Sequence, residues 1–220
     1  MSSSLQYKLR EMLSEVNNFH LGSSITCLEI LKAVMAKKGE NDVVILSKGH
    51  SAPAFYVILS ELGFLSDEEL WSFADINGLP SHVTRGLTFV EVSSGSLGQG
   101  LSIANGIALA SRRERKIYVI LGDGELDEGQ IWEAAMTSSH YNLDNIIAII
   151  DRNFRQLTGK TEETMSKEPL REKWEAFGWE VFEVENRAGK ILELLFELDE
   201  VKGKPKAIIA KAKAVGIDGR

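Results

Sequence analysis

The sequence predicts an α/β fold: a doubly wound, mainly parallel sheet with helices on both faces. Three observations carry that reading. Short β-branched runs are apolar at every position rather than at alternate ones, as strands buried on both faces must be. Segments with helical periodicity lie between most of these runs. One run, Tyr118 to Leu121, stops at Gly122-Asp123-Gly124 and is followed by Glu125, Asp127 and Glu128, so negative charge collects at one edge of the expected sheet.

Leu5 to Val16 is amphipathic, with Leu5, Leu9, Met12, Leu13 and Val16 on one stripe. A Gly-Ser-Ser turn follows, and then a second helix over Thr26 to Ala36. "DVVILS", Asp42 to Ser47, reads as a buried strand. Ser66 with Glu69 three residues on forms a capping box, which starts a helix. The remaining strands are expected at Phe89 to Ser93, Lys116 to Leu121, Ile146 to Asp151, Glu180 to Glu185 and Lys206 to Ala212. Helices are expected at Gly98 to Arg113, Glu128 to Tyr141, Pro169 to Phe177 and Lys190 to Glu200. In such a sheet ligands bind beyond the carboxyl ends of the strands, where Gly-Asp-Gly falls.

At 220 residues the chain can build one substantial core, and it reads as a single domain over 1–220. A net charge of −7 argues against nucleic acid or an anionic membrane as a general partner. The one dense basic run, Arg112, Arg113, Arg115 and Lys116, reads as the solvated end of a helix. No apolar run approaches the ~20 residues of a membrane helix. "MSSSLQYKLREML" also lacks the apolar core of a signal peptide. Cys27 is the only cysteine, so no internal disulfide forms and a cytoplasmic location is expected.

Asp123 at a strand end cannot be buried unpaired without a large cost, and a hard cation would satisfy it. The next strand end supplies Asn153, a neutral amide oxygen thirty residues on. One carboxylate, one amide and backbone carbonyls make a low-charge oxygen shell that suits magnesium with phosphate ligands still to gain. The helix starting near Glu128 adds the positive end of its dipole. Gly-Asp-Gly alone reads as a tight turn, and Asn153 alone as a surface loop residue. Their spacing across consecutive strand–helix units points to a metal-bound diphosphate.

That spacing, with "VSSGSLGQGLSIANGIALA", "GDGELDEGQIWEAAM", "NLDNIIAIIDRN" and "EPLREKWEAFGWEV", resembles transketolase, and in particular the N-terminal subunit of split bacterial transketolases, from about His20 to Ala214. The resemblance implies a thiamine-diphosphate-binding fold and magnesium, or calcium in its place, held by Asp123, Asn153 and the Arg155 carbonyl. Cofactor contacts would come from His50, Gly95, Ser96, Leu97, Gly122, Gly124, Glu125 and Asn153. His20 would face the sugar hydroxyls, and Glu128 would link paired active sites across the interface between subunits. The implied reaction transfers a two-carbon ketol unit from a ketose, such as a sugar phosphate, to an aldose. It implies a separate C-terminal subunit with the pyrimidine-binding domain, as an α2β2 heterotetramer. The readings set beside this are a carboligase resembling deoxyxylulose-phosphate synthase, and a non-catalytic cofactor-binding scaffold.

Independently of the resemblance, His20, His50 and His82 fall in expected loops, and neutral imidazole suits proton transfer from hydroxyls near neutral pH. His20 and His50 are read as functional and His140, near a helix end, as structural. Three departures from the family pattern stand out. Leu79 occupies the place of a family histidine in "GLP", with His82 three positions further on. Phe154 replaces a common glycine; phenylalanine takes φ > 0 only at a cost, so the loop carrying Arg155 is expected to run differently. The family continues beyond "AKAVGIDGR" to another cofactor-site histidine, expected here from elsewhere.

Overall fold

The computed structural model describes residues 2–14, 16, 20–112 and 114–212. Five parallel strands form its sheet in the order β1-β2-β3-β7-β6: β1 (Val43–Leu46), β2 (Ile117–Gly122), β3 (Ile146–Arg152), β6 (Glu180–Glu185) and β7 (Lys206–Lys211). A short antiparallel ribbon of β4 (Arg155–Gln156) and β5 (Gly159–Lys160) follows β3. The helices are α1 (Ser2–Ser14), α2 (Leu21–Lys37), α3 (Ala52–Glu61), α4 (Asp67–Trp71), α5 (Gln99–Ala110), α6 (Gly129–His140), α7 (Thr161–Thr164), α8 (Leu170–Ala176) and α9 (Ala188–Glu197).

Every residue of β1, β2 and β3 is buried. Alternation along β2 shows why. Tyr118 and Ile120 join a core with α1, α2, α3 and α9, while Ile117, Val119 and Leu121 join a second core with α5, α6 and α8. Helices therefore cover both faces, as the unbroken apolar runs predict. Among the described residues no helix is long and apolar enough to cross a membrane.

Three local expectations fail. Phe89 to Ser93 is a loop rather than a strand: Phe89 takes φ 61°, which breaks an extended path, and its ring packs edge-on against Phe64 at 4.6 Å. The Gly-Ser-Ser turn is the first turn of α2, which begins at Leu21, so His20 is its N-cap residue rather than a mid-loop residue. Helix α3 leaves no mark in the sequence pattern, because it is buried on nearly every side and has no polar stripe to reveal a period; Pro53 sits in its first turn. The Ser66–Glu69 capping box forms as expected, with Glu69 N–H donating to Ser66 Oγ at 3.1 Å. In the basic run, Arg115 pairs with Glu91 and Lys116 with Asp199, while Arg113 lies outside the described residues. So does the expected family continuation at the C-terminus.

Candidate active site

The carboxyl ends of β1, β2 and β3 lie side by side. β1 leads to Ser47, Lys48 and a 3-10 turn (Gly49–Ser51) carrying His50, β2 to Asp123 and Gly124, and β3 to Asn153. Gly122 pairs in register with Asp151, so Asp123 and Arg152 follow as neighbours. Arg152 Nη1 donates to Asp123 Oδ2 at 3.1 Å, and Phe154 N–H donates to the same oxygen at 2.7 Å. Among the described residues, Asp123 Oδ1 accepts only the Gly124 N–H, at 2.9 Å. Asp123 is 1% exposed. Burial, then the charge of Asp151, pushes its carboxyl up to about 6 despite the Phe154 N–H, Arg152 and Lys48.

Asn153 Oδ1 accepts the Arg155 N–H at 3.0 Å and retains a second lone pair. Among the described residues no three His, Cys, Asp or Glu side chains converge on one point. A cation here would take oxygen from one carboxylate, one amide and the backbone, leaving positions for phosphate. Gly124 fits this use: a Cβ there would fall 2.7 Å from the Gln156 Cβ, and Gln156 Oε1 is buried without a partner. The residues present therefore fit a metal-bound diphosphate.

Glu125 behaves differently. Its buried carboxylate accepts from Ser47 Oγ, from Gly98 N–H at 2.8 Å and from Gly122 N–H at 2.9 Å. It ties the ends of β1 and β2 to the start of α5, where Gly98 turns the chain at φ 87°. Gly100 lets α5 approach β1, since a Cβ would lie 2.5 Å from Ser47. Gly95 and Ser96 line a cavity of about 150 Å³ beside this turn, and half-buried Leu97 lies next to them. Exposed Glu128 precedes α6.

The histidines gather on the β1 side. His20 and His50 meet edge to face at 4.9 Å, and Ser23 Oγ lies 2.9 Å from His50 Nε2. Burial first, then Lys48, His20 and His82, lower His50 to about 3. Burial, Lys48 and His82 lower His20 as well. The structure thus brings His82 to the pair, although its position in the sequence alone does not indicate this. Its Cδ2 lies 2.9 Å from where a Gly49 Cβ would sit. Leu79 turns into the core. His140, at the end of α6, meets Tyr141 edge-on at 4.8 Å.

Sequence reasoning misses Ser23, Lys48, Asp151 and Arg152. Serine beside a helix start and charged residues at strand ends are common, and only the fold shows that Lys48, Asp151 and Arg152 are fully buried among partners.

Parallel strand ends that present a carboxylate and an amide side by side define a diphosphate-binding type of α/β domain. The family model described as "Transketolase, thiamine diphosphate binding domain" matches residues 35–218. The chain belongs to this transketolase family, as its thiamine-diphosphate-binding component. It is 37% identical over 218 residues to one of the subunits of an apulose-4-phosphate transketolase from Phocaeicola vulgatus, covering 92% of this chain and 78% of that one. It is also 37% identical over 215 residues to a 6-deoxy-6-sulfo-D-fructose transketolase subunit from Clostridium sp. (strain MSTE9), covering 90% and 78%. A solved transketolase from Campylobacter jejuni superposes with a TM-score of 0.88 at 28% identity, covering 96% of this chain and 36% of that one. The chain thus spans about a third of that enzyme's length.

Proposed function

We propose that this chain supplies the diphosphate and metal end of a two-component transketolase, whose C-terminal partner supplies the pyrimidine-binding domain in an α2β2 assembly in the cytoplasm. The observation that carries the reading is the placement of buried Asp123 and of Asn153 just past the ends of the adjacent strands β2 and β3, with the His20–His50 pair beyond the end of β1. Asp123, Asn153 and the Arg155 carbonyl would hold magnesium. Gly124 and Asn153 would hold the diphosphate, with Gly122, Gly95, Ser96 and Leu97 around the cofactor. Glu125 would act from beneath, by fixing the loop that carries Asp123. Bound thiamine diphosphate would supply the carbanion chemistry that moves a two-carbon ketol unit from a ketose to an aldose.

The imidazoles of His20 and His50 are held neutral, so each offers one ring nitrogen as a hydrogen-bond acceptor and one N–H as a donor to sugar hydroxyls. His82 joins them from the loop where Leu79 has turned away, and would contact the same substrate. Exposed Glu128 would meet a neighbouring protomer. Relatives that are themselves named as transketolase subunits support a separate partner, and their names place them on phosphorylated and sulfonated sugars; the sugars of this chain belong to that class.

A site built from one end of the cofactor loses much of the burial that small-molecule sites provide. Cofactor and partner binding are therefore expected to be linked, each tightening the other by the same factor. Analytical ultracentrifugation of both components, with and without thiamine diphosphate and magnesium, tests this. Ketose turnover by this chain alone would overturn the two-component reading.

A further inference from the structure

Lys48 is a lysine with no exposed surface, and nothing in the cofactor reading accounts for it. Its Nζ lies 2.5 Å from Asp151 Oδ2 and donates to the Ser23 carbonyl at 3.3 Å. Asp151 is held in turn by Thr26 Oγ1 at 2.6 Å, and Asn186 Nδ2 lies 3.4 Å from its other oxygen. The pair thus joins the end of β1 to β3, to the first turns of α2 and to the turn after β6. A buried ion pair of this kind contributes little net stability compared with apolar side chains of similar volume. Its retention calls for another role, and the neighbouring groups indicate one. Ser23, whose carbonyl Lys48 holds, places its hydroxyl 2.9 Å from His50 Nε2 and 3.2 Å from Ser51 Oγ.

We propose that Lys48 is a positioning residue of the active site: anchored on Asp151, its ammonium fixes Ser23 beside His50 and keeps the His20–His50 pair in its neutral, hydrogen-bonding form. This rests on reading that pair as the substrate-facing wall. The charged and titratable groups acting on His50 are Lys48, His20 and His82, and those acting on His20 are Lys48 and His82. Lys48 is the permanent cation in both sets. Burial works against its proton, but Asp151 more than offsets that and keeps the ammonium charged. A fixed cation opposes a second positive charge on either ring, so both rings remain neutral across the physiological range. The nearby Cys27 thiol, pushed up to about 12 chiefly by burial, remains neutral and adds no counter-charge.

The test is a histidine NMR titration of the full chain. It needs neither cofactor, partner nor substrate, so its outcome is independent of the proposed transketolase activity. In the wild type, the His50 imidazole is expected to stay neutral from pH 8 to pH 5; an ordinary midpoint near the reference value of about 6.5 overturns the proposal. In the Lys48→Met/Asp151→Asn double variant, which removes both charges at similar volume, the midpoints of His20 and His50 are expected to rise by about half a pH unit or more. The His140 resonance at the end of α6 serves as the internal reference. Unmoved His20 and His50 midpoints in a folded double variant overturn the proposal, because a purely structural ion pair would leave them in place. If that variant does not fold, Lys48→Gln/Asp151→Asn, which keeps hydrogen-bonding groups in place of both charges, is titrated in the same way, and unmoved His20 and His50 midpoints in it likewise overturn the proposal.

Discussion

Two buried ion pairs share one strand end. Asp151 and Arg152 are consecutive residues of β3 and so project to opposite faces. Asp151 takes Lys48 on the histidine side, and Arg152 takes Asp123 on the diphosphate side. The first pair is closed: the lysine is clamped at 2.5 Å, and the carboxylate is also held by Thr26. The second is shared. Arg152 divides itself among Asp123, Thr161, Glu162 and Glu168, and among the described residues Asp123 Oδ1 has a single N–H. The carboxyl of Asp123 stays raised, as expected for an anion whose burial is incompletely compensated. The contrast separates two tasks. The Lys48–Asp151 charge pair is locked in place, whereas the Asp123 carboxylate is supported mainly on Oδ2, an arrangement that suits the cation ligand proposed for it.

The histidine side should give the largest loss on mutation. His20→Ala is expected to lower turnover of the assembled enzyme by about a hundredfold or more, with cofactor affinity nearly unchanged. If instead cofactor affinity falls and saturated turnover holds, His20 is a wall of the cofactor site and the two sides do not divide the labour.

The diphosphate side gives the next effect. Asp123→Asn keeps the shape and removes the charge. It is expected to weaken magnesium-dependent diphosphate binding by about tenfold or more, the scale of a lost charge-assisted contact. Calorimetry on the assembled complex reads this directly, and unchanged affinity would remove the metal assignment.

These two sides are not equally legible in the sequence. Asp123 and Asn153 can be read because strand ends are marked by apolar runs that stop abruptly, and because glycine flanks one and an amide ends the other. His20 and His50 are visible as histidines in loops, but their mutual contact is not, since it depends on α2 starting five residues earlier than its hydrophobic pattern suggests. The Lys48–Asp151 pair joins positions 103 apart, and no local pattern encodes such a meeting. The failure at Phe89 to Ser93 has the same origin: its composition suggests a strand, whereas tertiary packing on Phe64 holds it as a loop.

A pH effect on stability follows from His50. Its folded value of about 3 lies below the reference value of 6.5, so the unfolded chain binds the proton more readily. The contribution of this group is therefore fully present above about pH 6.5 and is lost as pH falls toward about 3. Urea unfolding at pH 7 and pH 5 should show a smaller acid-induced loss in His50→Gln than in the wild type. Equal losses would mean that His50 is not the group being protonated on unfolding.

The smallest effect expected is at Phe154, where the sequence suggests a different loop path. The structure keeps the glycine-like path, and Phe154 adopts φ 62°. A left-handed conformation costs a residue with a Cβ roughly 1–2 kcal/mol. Two contacts offset it: the ring lies 4.1 Å from the Arg152 guanidinium, and the N–H donates to Asp123 Oδ2. A cation–π contact of this kind is worth roughly 0.5–2 kcal/mol. Phe154→Gly would relieve the strain and keep the N–H bond, but it would lose the ring and add about 0.5–1 kcal/mol of backbone entropy cost. The terms nearly cancel, so the variant is expected to fall within about 1 kcal/mol of the wild type in urea unfolding. Phe154→Val retains the strain, gains a β-branch and loses the ring, and should be the less stable of the two. If the glycine variant were destabilised by more than about 2 kcal/mol, the ring on Arg152 would be the main support of the loop. The diphosphate side would then be as firmly locked as the histidine side, and the contrast between the two ion pairs would fail.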